Sequence, residues 1–116
     1  MKADRWGSGA IGRSHTVARG DLVWSVSNAK SAGAEFGTQV EETLGFLTSS
    51  LEAAGSHKTK LLSVQVLLAD IENRELFNRY WCEWIGDNPE NWPQRAVYQA
   101  ALAPGLCIEL IVTAYR

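Results

Sequence analysis

Eight consecutive residues in the middle of the chain, Leu61-Leu62-Ser63-Val64-Gln65-Val66-Leu67-Leu68, form an apolar run of strand length. Side chains alternate along a strand, so Leu62, Val64, Val66 and Leu68 share one face and Leu61, Ser63, Gln65 and Leu67 the other. Both faces are then at least partly covered. A helical pattern precedes the run. Val40, Leu44, Leu47 and Leu51 recur at i, i+4, i+7 and i+11, one stripe of an α-helix that begins near Glu35. Gly55 stands just past the stripe as its stop. Gly37 and Gly45 each weaken this helix by up to ~1 kcal/mol, which marks them as points of close packing against a sheet. A second helix follows the run. Asp70-Ile71-Glu72-Asn73 reads as its start, with Asn73 as N-cap and Glu75 near the positive end of the dipole. Leu76, Phe77, Tyr80, Trp81 and Trp84 give it a heavy aromatic stripe for the core, and Gly86-Asp87-Asn88-Pro89 ends it.

The flanks read as strands. Ser14 to Val17 and Leu22 to Val26 are joined by a tight turn at Arg19-Gly20-Asp21. Ser27 to Gly33 is small and polar, a loop. Arg95 to Ala101 and Cys107 to Tyr115 lie on either side of a turn at Ala103-Pro104-Gly105. Residues 1–12, with Gly7, Gly9 and Gly12, read as an irregular arm. The order β-β-α-β-α-β-β over 116 residues predicts a single α+β domain spanning residues 1–116. Its architecture is a sandwich of a mixed sheet with both helices on one face. The other face, carrying Leu61 and Leu67, needs cover, which in so small a chain comes from another subunit.

Composition narrows the function. Hydrophobic residues at 46% and charged residues at 21% belong to a folded globular chain. A net charge of -2 and a pI near 5.6 argue against nucleic acid as a partner. No stretch approaches the ~20 apolar residues of a membrane helix. The charged start, Met1-Lys2-Ala3-Asp4-Arg5, lacks the apolar run of an export signal, so a cytoplasmic protein is expected. Cys82 and Cys107 lack metal-ligand spacing and are expected to be free thiols, Cys82 as a small packing residue on the second helix. His15 and His57 offer no third ligand. The Gly7, Gly9 and Gly12 spacing spells Gly-x-Gly-x-x-Gly but follows no strand and precedes no helix, so it carries no nucleotide argument.

Two residues are suited to chemistry. Arg95 follows Trp92-Pro93-Gln94 and opens an otherwise apolar strand. A guanidinium there can hold a carboxylate through two parallel hydrogen bonds, or be a solvated edge residue or half of an ion pair. Glu109 alternates with Ile111 and Thr113 on one face of the last strand. It is either an edge-face residue or a buried carboxylate held for a purpose, and the two residues could also pair with each other.

The run Leu61 to Ile71, followed by Phe77-Asn78 and Trp81, resembles the central strand and second helix of the RidA/YjgF family, also labelled L-PSP endoribonuclease. Pro93-Gln94-Arg95-Ala96-Val97 and Ile108-Glu109-Leu110-Ile111-Val112 resemble its Pro-x-Arg and Val-Glu-Ile signatures, and Ala53-Ala54-Gly55-Ser56 its first helix end. The resemblance implies a chorismate-mutase-like fold and a homotrimer with a barrel-like core and three intersubunit clefts. It further implies hydrolysis of 2-imino and 2-enamino acids to 2-keto acids and ammonia. Arg95 would bind the substrate carboxylate and Glu109 would orient or activate water, with Ser27, Arg13 and Asn78 as further substrate-binding positions. Neither metal nor organic cofactor is implied, because an imine is already electrophilic. The chain departs from the pattern in four places. Gly12-Arg13-Ser14-His15 replaces a Pro-Tyr segment, and Val26-Ser27-Asn28 replaces Ser-Gly-Gln. Val97 replaces a cysteine and Ile111 a second glutamate. These departures keep two other functions open: a non-catalytic trimer that binds a small carboxylate metabolite, and, less in keeping with the acidic balance, an endoribonuclease.

Overall fold

The computed structural model describes all residues, 1–116. In chain order the elements are β1 (Asp4–Gly7), β2 (Ser14–Arg19), β3 (Leu22–Asn28), α1 (Phe36–Ala53), β4 (Leu61–Leu68), α2 (Arg74–Ile85), β5 (Gln94–Gln99) and β6 (Ile108–Tyr115). The strands form one mixed sheet in the order β1-β2-β3-β6-β4-β5, and only the β4–β5 pair is parallel. Two β-α-β crossovers build it: α1 carries the chain from β3 past β6 to β4, and α2 carries it from β4 to β5. Both helices cover the same face. Val40, Leu44, Leu47 and Leu51 of α1 and Phe77, Trp81 and Ile85 of α2 meet Val64, Val66 and Leu68 of β4 and Leu110 and Val112 of β6 in one core. No helix is long and apolar enough to cross a membrane.

Local signals set most boundaries. Gly20 turns β2 into β3 at φ +59°, and Gly55 and Gly86 follow the two helices at φ +82° and +83°. Asn73 precedes α2 without a side-chain cap; Asp70 instead accepts the Glu72 N–H at 2.9 Å, one turn earlier. Gln39 is fully buried and fully paired. Its amide donates to the carbonyls of Ala34 and Gly105 and accepts from the Cys107 N–H, tying the start of α1 to the start of β6.

Three expectations need correction. Residues 4–7 of the expected arm form β1, because their backbone pairs antiparallel with β2 from Asp4 opposite Ala18 to Gly7 opposite Ser14. A β-bulge between Leu61 and Ser63 resets the alternation at the start of β4. Leu61 therefore lies in the core, while Leu62, expected beside Val64, is exposed; Leu67 stays on the outer face. The helix glycines do not meet the sheet. Gly37 makes room for Tyr80 of α2, whose hydroxyl would collide with an added Cβ, and Gly45 faces open space. Gly45→Ala is accordingly expected to raise stability by about 0.5–1 kcal/mol, read as a higher denaturation midpoint in urea.

The uncovered sheet face is apolar in part. Trp24 and Val26 of β3, Leu62 of β4 and Tyr98 of β5 are all exposed there. Ile111 and Thr113 of β6 are half-buried beside them.

Candidate functional site

Arg95 is the second residue of β5, an edge strand, and lies opposite Val64 of β4. Val64 is a core residue, so Arg95 points to the helix-covered side of the sheet. There its guanidinium carbon lies 5.5 Å from the ring centroid of Phe77 and 5.3 Å from that of Trp81. Its Nη2 donates to Asn78 Oδ1 at 2.6 Å. The α2 backbone delivers all three partners, since residues 77, 78 and 81 fall on one side of a helix. Arg95 has no carboxylate partner; the ion pair in the chain is Arg116 with Asp4. Burial pushes the guanidinium below its ordinary value, with Cys82 opposing that shift and Arg74 adding to it. An arginine remains charged throughout, so the fold holds a half-buried cation without a counter-charge.

The cation stands on the wall of a cavity of about 460 Å³ between the end of α2, the following loop and the start of β5. Trp81, Cys82, Ile85, Trp92 and Pro93 line it with Asn78 and Arg95. Asp87 stands on the same lining. The loop is held by its own bonds. Asn88 accepts the Glu90 N–H at 3.1 Å, and Trp92 Nε1 donates to the Gly86 carbonyl at 2.9 Å.

Asn78 and Arg95 are thus brought together, and the remaining candidates are not. Glu109 lies opposite Leu67 of β4 and Asn28 of β3, on the outer face of the sheet. Asn28 Nδ2 donates to its Oε1 at 3.4 Å. One strand lies between β5 and β6, a lateral separation of about 10 Å, and Arg95 is on the other face. The two do not pair. Ser27 needs correction: its side chain faces the core, fully buried, and donates to the Thr43 carbonyl of α1 at 2.7 Å. That hydroxyl is committed to the helix–sheet contact. Arg13 is exposed in the loop before β2, and three strands lie between β2 and β5 in the sheet order. Cys82, expected to pack, is exposed on the cavity wall. It was detectable as part of a pattern, because Asn78, Trp81, Cys82 and Ile85 recur at i, i+3, i+4 and i+7.

Comparison with known proteins is consistent with this fold. The family model described as Endoribonuclease L-PSP matches residues 5–116. The chain belongs to the RidA/YjgF, or L-PSP endoribonuclease, family. A RutC family protein of Haemophilus influenzae is 34% identical over 77 residues, covering 66% of this chain and 65% of the relative's own length. Among solved structures, a Pseudomonas aeruginosa protein superimposes with a TM-score of 0.88 at 26% identity, over 99% of each chain. A YjgF family member of Neisseria meningitidis gives 0.89 at 24% identity over 100% of this chain and 96% of its own, a likeness of fold. For a RidA/YjgF family member, the six-stranded sheet with two helices on one face is the family architecture.

Proposed function

We propose that this protein is a cytoplasmic homotrimer that holds a small 2-imino or 2-enamino acid by its carboxylate and hydrolyses it to a 2-keto acid and ammonia. Arg95 carries the reading. A half-buried guanidinium on two aromatic rings, with an amide as its side-chain partner and no carboxylate within ion-pair distance, suits an anionic ligand that completes the fork. Water adds to the electrophilic imine carbon, a proton passes to nitrogen, and the carbon–nitrogen bond breaks to release ammonia. Arg95 positions the substrate, and Glu109 accepts the proton of the attacking water. Because Glu109 is on the opposite sheet face from Arg95 of its own chain, it acts on the substrate of a neighbouring copy.

The exposed Trp24, Val26, Leu62 and Tyr98 support that assembly. An obligate interface of this kind buries above ~2,000 Å². Light scattering at micromolar concentration should give three times the 12.8 kDa of the chain, and Leu62→Glu should yield a folded monomer. A wild-type monomer would overturn the trimer. The activity is tested by ammonia release from imino acids generated in situ by an amino-acid oxidase. Faster release with the protein supports hydrolysis. A bound acid without turnover identifies a carboxylate-binding module, the second reading, which the separation of Glu109 from Arg95 and the inward Ser27 favour.

A further inference from the structure

Resting on that reading of the Arg95 site, we infer that its substrates are 2-imino acids with a bulky apolar or aromatic side chain, selected by Trp92. The cavity beside Arg95 is about 460 Å³, within the range of about 300–1,000 Å³ typical of sites that enclose a whole small molecule. A three-carbon imino acid, its carboxylate on the guanidinium, leaves most of that space empty. Trp81, Ile85, Trp92 and Pro93 supply the apolar part of the remaining wall, beside Cys82, Gly86 and Asp87. Trp81 and Ile85 are buried core residues with little free surface to offer, and the Arg95 guanidinium lies over the Trp81 ring. Trp92 is different. It is 55% exposed, the largest exposure of any aromatic side chain in the chain, yet its indole is fixed by the Nε1 bond to the Gly86 carbonyl. A pinned, half-exposed indole on the same cavity lining as Pro93 and Arg95 is a preorganised apolar surface. A ligand that spans from Arg95 to Trp92 buries it; a methyl side chain does not.

Each added methylene in an apolar pocket changes discrimination by about 10–200-fold. Phenylpyruvate, the stable 2-oxo counterpart of an aromatic imino acid, should therefore bind at least ~10-fold tighter than pyruvate in calorimetric titration. Ammonia release from the imine of phenylalanine should be stimulated correspondingly more than from that of alanine. Trp92→Ala, checked for folding by its melting curve, should bring both ratios towards one. Equal affinity of the wild type for the two acids, with either imine hydrolysed, overturns this inference and leaves the proposed function standing. An unchanged ratio in folded Trp92→Ala removes Trp92 as the selector and overturns it equally. If neither acid binds and neither imine is turned over, the Arg95 reading falls and this one with it. The wild-type ratio decides even where the variant does not fold.

Discussion

Arg95→Ala is expected to abolish carboxylate binding while leaving the protein folded. A guanidinium–carboxylate fork contributes about 1.5–3 kcal/mol per charged hydrogen bond, so losing both bonds weakens binding by roughly 10² or more. The fold loses far less. Burial works against the charge of Arg95, and no acidic side chain of the chain compensates it. What alanine removes is one bond to Asn78 and two ring contacts, offset by relief of an unpaired, half-buried cation. The melting temperature should move by no more than the roughly 4–8 °C that corresponds to about 1 kcal/mol in a small domain. Arg95→Lys should recover little affinity, because an ammonium is a point charge and cannot reproduce the two-point geometry. Asn78→Asp should weaken ligand binding, since it supplies inside the chain the carboxylate that Arg95 otherwise lacks. Calorimetry with a 2-oxo acid, beside melting curves, reads all three. Unfolding of Arg95→Ala, with ligand affinity unchanged in the fraction that stays folded, would make Arg95 a structural residue.

Most of this fold is legible in the sequence, and the misses share a cause. The stripe of Val40, Leu44, Leu47 and Leu51 and the apolar run from Leu61 to Leu68 identify helix and strand because their periods are local properties of the backbone. Gly55 and Gly86 mark helix ends for an equally local reason, positive φ. Alternation fails where phase is not local. The bulge after Leu61 exchanges the environments of Leu61 and Leu62, and nothing within the strand's own pattern announces it. Residues 4–7 look like part of a glycine-rich arm over residues 1–12 until β2 supplies their hydrogen bonds. The same limit governs the site. Arg95 and Glu109 are each visible as a charge on an apolar strand, but the face each occupies follows from register with β4, where one residue of slip inverts the answer. Trp92 is visible only as a residue near a proline; the Gly86 carbonyl that fixes it is six positions away, across the loop.

Glu109→Gln is expected to lower turnover by about 10²–10⁴ while the acid still binds, provided Glu109 is the group that accepts the water proton. Glutamine keeps the length of the side chain and a carbonyl oxygen to accept the Asn28 amide, so the surface around β3 and β6 stays as it is. It removes only the basic carboxylate. Ligand affinity should survive, because Arg95, the proposed carboxylate anchor, is on the other side of the sheet. That same separation gives the prediction a second arm. If Glu109 serves the substrate of a neighbouring copy, Arg95→Ala and Glu109→Gln are each inactive alone. Trimers assembled from the two together contain clefts in which an intact Arg95 faces an intact Glu109, and turnover returns in the mixture. Had both groups worked on one substrate within one chain, every cleft of the mixture would lack one of them and activity would stay absent. A Glu109→Gln protein as fast as wild type removes the residue from the mechanism. A slow variant whose mixture with Arg95→Ala stays inactive instead confines both groups to a single subunit, which the opposite-face placement of Arg95 and Glu109 does not allow without movement of β5.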